Sequence, residues 1–209
     1  ENFSPNYAGA VSLYVKETVR LSKFKNQTKI YGYTEFKKNF NLNYNNIVLK
    51  KKLFLSKSKL YVEEFINLQD KDKPDLIEIH NRPRYVNYIA KKNISKIVFY
   101  FHNDPLKMSG SSKPSERINL LNICEKIIFN SEWSKNQFIK DLNYTDIDTE
   151  KLIIIKQSAG KSKTNVLNKE KIIIFVGKLN RAKGYDIFGK TIIKILDEYK
   201  DWSSYVIGD

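Results

Sequence analysis

The chain carries only two histidines, and each is followed by an asparagine: His80-Asn81 and His102-Asn103. Imidazole exchanges protons near neutral pH, so two of them in matched contexts are the first place to look for chemistry. Both fall at the carboxyl ends of strands that the sequence predicts over 76–80 and 96–102. Ligands of open parallel sheets bind beyond those ends, where an imidazole can hydrogen-bond a substrate hydroxyl or phosphate. Either histidine alone could simply finish a strand. The pair in equivalent places favours a site, most of all at His102, which leads into a polar loop. Asn81 and Arg82 follow His80 at the same end; Arg82 can clamp an anion, or stand solvated beside Pro83. Gly9-Ala10 would open a helix whose free amides attract phosphate, although any tight turn into a helix also wants a glycine. Lys178 and Lys183 bracket another strand-to-helix turn, where two ammonium groups can neutralise a diphosphate. In so lysine-rich a chain, two solvated surface lysines are a serious competing reading.

One further motif has the right letters in the wrong setting. Residues Gly184 to Thr191 satisfy the phosphate-loop pattern G-x-x-x-x-G-K-[ST]. That loop works by following a strand directly and wrapping phosphate in backbone amides. Here the strand ends near Val176-Gly177, well before Gly184. Ile187, Phe188, Ile192, Ile195 and Leu196 recur at helical spacing, so Gly189-Lys190-Thr191 is expected inside a helix.

The elements that must position these residues follow a repeating order. Helices are expected over 9–23, 60–68, from Pro83, over 115–125, from Ser131, and over 185–199. Strands are expected over 29–34, 47–49, 76–80, 96–102, 126–130, 152–156, 171–176 and 205–207. Strands alternating with helices imply a doubly wound α/β fold with a parallel sheet. Residues 157–170 are rich in Ser, Gly, Lys, Thr and Asn with no apolar period, so they read as a linker. The expected organisation is a Rossmann-like domain over 1–156, the linker 157–170, and the first βαβ unit of a second domain over 171–209. The chain opens on a loop and helix, so its first strand is expected to be missing, as is most of the second domain.

Composition removes several classes. With 209 residues, one cysteine and two histidines, neither an internal disulfide nor a usual structural zinc site can form, and no metal is expected. Cys124 sits in an apolar pattern with Leu120 and Leu121 and reads as a buried, inert thiol. No apolar run nears the ~20 residues that span a bilayer. The net charge of +14 suggests a nucleic-acid partner, but only Arg20, Arg82, Arg84, Arg117 and Arg181 are arginines. The remaining basic residues are lysines scattered along the chain, without the guanidinium forks that favour phosphate and base recognition. Nucleic acid is therefore not an expected partner, whereas weak contact with an anionic membrane face suits the charge.

Phe175-Val176-Gly177-Lys178-Leu179-Asn180-Arg181-Ala182-Lys183-Gly184-Tyr185-Asp186 resembles the start of the nucleotide-sugar domain of family 4 glycosyltransferases. Asn6-Tyr7-Ala8-Gly9-Ala10 is similar to that family's N-terminal glycine loop, and the strand ending at His102 to the strand that carries its cleft histidine. Asn130-Ser131-Glu132-Trp133 and Ile207-Gly208-Asp209 resemble two further family segments in the expected order. The resemblance implies a GT-B architecture and metal-independent, anomer-retaining transfer from a UDP- or GDP-sugar, with no other cofactor. It implies a glycan or glycolipid acceptor, a role in cell-envelope polysaccharide assembly and a cytoplasmic enzyme; the basic surface suggests peripheral contact with the inner membrane face. By carry-over, Lys178 and Lys183 would hold the donor diphosphate, Gly9 and Ala10 would approach it, and His102 would hydrogen-bond the transferred sugar. His80, Asn81 and Arg82 fall to the acceptor side by position.

Three departures stand out. The family's Gly-Arg is Gly177-Lys178 here, its glycine pair is Ala8-Gly9-Ala10, and its paired-glutamate segment has no counterpart up to Asp209. The chain alone is therefore expected to have little or no transferase activity. The competing readings are a P-loop nucleotide hydrolase using Gly184 to Thr191 and a non-catalytic Rossmann-like binding module.

Overall fold

The computed structural model describes residues 2–49, 56–69, 73–92, 95–143, 145, 147–158, 160 and 169–208. The chain divides into two compact units, Glu1–Ser158 and Ala159–Asp209. Most of the expected linker, residues 159 and 161–168, lies outside the described residues.

The first unit is built on a four-stranded, all-parallel sheet of β3 (Leu76–His80), β4 (Lys96–Phe101), β5 (Lys126–Phe129) and β6 (Leu152–Ile154), in that spatial order. Alternation along the strands sorts their side chains onto two faces. Ile77, Ile79, Ile97, Phe99, Phe101, Ile127 and Phe129 point to one face and form the main core. Four helices cover that face: α2 (Lys57–Asn67), α3 (Pro83–Ala90), α4 (Pro114–Ile123) and α5 (Glu132–Ile139). They contribute Val62 and Phe65, Val86 and Ile89, Leu120 and Leu121, and Phe138. Val98, Tyr100 and Ile128 point to the opposite face and pack against Tyr14 of α1 (Ala10–Leu21). Helices on both faces of a parallel sheet make this a Rossmann-like α/β unit.

Local chemistry sets the helix starts. Ser56 and Ser131 cap α2 and α5 by accepting the amides of Lys59 and Ser134. Pro83 and Pro114 occupy first positions, where their missing N–H costs nothing. Cys124 is buried at the end of α4, and desolvation pushes its thiol up to about 12, so it is an inert core group.

Two short strands, β1 (Ile30–Gly32) and β2 (Tyr44–Asn46), form a separate parallel pair. The sequence places the second of them over 47–49; the structure sets it three residues earlier. Asn46 is the reason: its side-chain oxygen accepts the Thr34 amide at 2.8 Å, and its nitrogen donates to the Thr34 carbonyl at 3.3 Å. Tyr44 also stacks on Phe3 at 4.8 Å. An asparagine-rich run hid that latch from any apolar period.

The second unit pairs β7 (Ile172–Val176) with β8 (Ser203–Ile207) in parallel, joined through α6 (Tyr185–Glu198). Phe175 packs on Tyr185 and Phe188 of that helix. Ile174, Val176, Tyr205 and Ile207 stay more than half exposed on the other side of the pair. Among the described residues, no helix is long and apolar enough to cross a membrane.

Candidate functional site

His80 ends β3, and His102 follows the last residue of the neighbouring β4. Both sit on the α1 face, because they continue the alternation of Glu78 and Tyr100. Asn81 fixes the spacing between the two strand ends. It is buried, adopts the left-handed region with φ of 53°, donates its amide to the Tyr100 carbonyl, and accepts the His102 amide at 2.9 Å through its side chain. Asn130, just beyond β5, donates to the His102 carbonyl at 2.9 Å. The backbone of His102 is thus tied from both adjacent strands.

The rings are held as closely. His102 stacks on Tyr100 at 4.2 Å and meets the edge of Tyr14 at 5.1 Å. His80 Nδ1 lies 2.8 Å from His102 Nε2, and His80 Nε2 lies 2.9 Å from a Glu78 carboxylate oxygen. Gln157, just past β6, brings its amide nitrogen 2.5 Å from His102 Nδ1. Glu78, His80, His102 and Gln157 form one continuous row, in which every imidazole nitrogen has a partner.

The electrostatics follow from the burial. Desolvation under the tyrosines, then repulsion from a charged His80, lower the His102 pKa to about 4, against a smaller upward pull from Glu78. His102 is therefore neutral at physiological pH. Desolvation works to raise the Glu78 carboxyl, but the hydrogen bond from His80 and the pull of both imidazoles leave it below the usual carboxylate range. The Tyr100 hydroxyl, pushed upward mainly by desolvation, stays protonated and donates to the Ile155 carbonyl at 2.7 Å.

Of the residues singled out in the sequence, His80 and His102 meet directly. Asn81 stands with them, its side-chain oxygen committed to the His102 backbone. Arg82 is exposed at the start of α3 and donates to the Asn81 carbonyl at 2.9 Å. Gly9 caps α1, and Ala10 is its first residue, one turn ahead of Tyr14. In the second unit, Lys178 follows Gly177 and Lys183 ends a short 3-10 turn, Arg181–Lys183. Asn180 caps that turn by accepting the Lys183 amide, and Gly184 enters α6 in the left-handed region with φ of 74°. Both lysine residues are exposed. Gly189, Lys190 and Thr191 lie within α6, where backbone amides are spent on the helix and no phosphate-wrapping loop exists.

Sequence reasoning missed four members of the site. Glu78 and Tyr100 each stand two residues before a histidine, so strand alternation alone could have put them beside it. Tyr14 needed the packing of α1, and Gln157 was folded into the linker with no signal to mark it. No protein-family model matches the chain, and no curated protein matches it.

Proposed function

We propose that this chain belongs to a nucleotide-sugar-dependent glycosyltransferase of the GT-B kind, transferring a sugar to a glycan or lipid acceptor of the cell envelope. One observation carries the reading. Both units present their chemistry-bearing residues at the carboxyl ends of parallel strands, where α/β sheets bind ligands: His80 and His102 after β3 and β4, Lys178 after β7. The two ends differ in kind. The imidazole row is neutral at its outer end and suits the hydroxyls of a sugar. The turn bearing Lys178 and Lys183 runs into the N-terminus of α6 and suits a diphosphate, the leaving group of a UDP- or GDP-sugar. Retention of anomeric configuration and independence from metal belong to the same reading, as does a peripheral contact between the lysine-rich surface and anionic lipid.

Titration calorimetry with UDP and GDP tests it. Lys178→Ala and Lys183→Ala should each weaken binding roughly tenfold, the loss of one charge-assisted contact. Lys190→Ala, on the body of α6, should leave affinity unchanged. Lysine variants that bind as the parent does would refute the proposal, as would loss of binding on changing Lys190.

A further inference from the structure

The row from Glu78 to Gln157 has a direction that its end groups dictate. An ionised carboxylate only accepts, so Glu78 takes its hydrogen bond from His80 Nε2–H at 2.9 Å. A neutral His80 must then accept at Nδ1, which obliges His102 to donate from Nε2 across the 2.8 Å contact. His102 Nδ1 is left as an acceptor, and Gln157 meets it with an amide N–H. Three of these groups ride on adjacent strands whose ends are locked by Asn81 and Asn130. The fourth, Gln157, is exposed and has only its side chain at the row.

We propose that Glu78, His80 and His102 form a proton relay whose outer terminus, His102 Nδ1, is a base for a neutral hydroxyl group, and that Gln157 holds that terminus until a ligand hydroxyl displaces it. The relay balances internally. A proton passes from the ligand oxygen to His102 Nδ1, the His102 Nε2 proton passes to His80 Nδ1, and the positive charge rests on His80 against the Glu78 carboxylate. His102, crowded by Tyr14 and Tyr100, starts and ends neutral, having exchanged one tautomer for the other. Among the described residues, the charged or titratable groups facing its ring are His80 and Glu78 from β3, Tyr100 from β4 and Tyr14 from α1. A phosphate is a poor fit at this terminus, because an acceptor would face an acceptor. The inference stands on the geometry of the row alone, and it extends the glycosyl-transfer reading by requiring a hydroxyl of the substrate at this point.

Two histidines in the whole chain make the test direct. In protein labelled with 15N-histidine, ring-nitrogen correlations followed from pH 8 to pH 4 report tautomer and charge for each ring, with His102→Gln giving the assignment. At pH 8 both rings should be neutral and protonated at Nε2. The first proton taken up should make His80 cationic while His102 stays neutral and switches to the Nδ1–H tautomer. Glu78→Gln, whose amide can donate as well as accept, should loosen the preference of His80 for the Nε2–H tautomer at pH 8. Gln157→Ala should preserve the starting tautomers and raise the rate of His102 carbethoxylation by diethylpyrocarbonate several-fold. Independent titration of the two rings, a His102 already protonated at Nδ1 at pH 8, or an unchanged rate in Gln157→Ala would overturn the proposal. Because none of these readouts involves a nucleotide or sugar transfer, failure here is separate from failure of the glycosyltransferase reading.

Discussion

Asn81 is the residue on which the site's geometry can be tested most cleanly, since its two contributions are separable by substitution. Its side-chain oxygen satisfies the His102 amide at 2.9 Å, in a position only 6% exposed, and its backbone sits at φ of 53°. Asn81→Ala strands the His102 amide, at about 1–3 kcal/mol, and gives up asparagine's tolerance of the left-handed region, which costs about 1 kcal/mol more. The sum is about 2–4 kcal/mol, a large part of the 5–15 kcal/mol that holds a typical domain together. Asn81→Gly loses the hydrogen bond and relieves the backbone, so about 1–2 kcal/mol is expected. A urea titration followed by Trp133 fluorescence in a Trp202→Phe background reads the first unit alone, since Trp202 belongs to the second. With a urea slope of roughly 1–3 kcal/mol per molar, the alanine variant should melt roughly 1–2 M earlier, and the glycine variant between it and the parent. Hydrogen exchange at the His102 amide should quicken in both. A glycine variant that falls further than alanine, or an alanine variant at the parent midpoint, would refute the assignment of Asn81 as the clamp between β3 and β4.

Two other outcomes follow from buried charge. His102 titrates at about 4 when folded against about 6.5 when unfolded, so the unfolded chain takes up the proton first as pH falls. The stability this ring supplies is complete above pH 6.5 and lost as pH drops toward 4. Full desolvation would put it near ~3 kcal/mol, and partial exposure of the ring reduces that to roughly 1–2 kcal/mol. His102→Gln should flatten urea midpoints over that window, and an unchanged slope would contradict the buried neutral ring. Arg117, 1% exposed, donates to the carbonyls of Ser111, Ser112 and Lys140 and so pins the loop after His102 to α4 and α5. Arg117→Met should cost roughly 2–4 kcal/mol and speed tryptic cleavage after Lys107, whereas resistance equal to the parent's would count against that anchor.

The sheet was legible because β4, at 96–101, reads as an apolar run buried on both faces, while β3, at 76–80, alternates buried isoleucines with exposed Leu76 and Glu78 and is bounded by turns. The helix starts were legible from Pro83 and Ser131, whose chemistry is local. The β1–β2 pair was harder, since it depends on an asparagine side chain reaching across twelve residues to Thr34. The histidines announced themselves by type and place, but their meeting did not. Two strand ends are side by side only once β3 and β4 are known to be neighbours in register, His80 opposite Tyr100. Gln157 had still less to betray it, because its role comes wholly from where β6 delivers the chain. Asn81, first a candidate for touching substrate, takes on a positioning task that only the backbone geometry reveals.

Using two imidazoles where one could serve has a physical rationale. A single histidine stacked on Tyr100 and capped by Tyr14 would have to carry its own charge after accepting a proton, in surroundings whose desolvation lowers its pKa. Such a base is too weak to hold a proton drawn from a hydroxyl near neutral pH. Passing the charge one ring inward places it against Glu78, whose carboxylate oxygen is 2.9 Å from His80 Nε2. The outer ring can then stay stacked and neutral, while the charge rests between His80 and Glu78. Desolvation and a carboxylate partner would pull in opposite directions on a single ring, and the row gives the first to His102 and the second to His80. Loss of Glu78 should therefore leave a charge passed to His80 without its carboxylate partner and leave the stacking of His102 on Tyr100 intact.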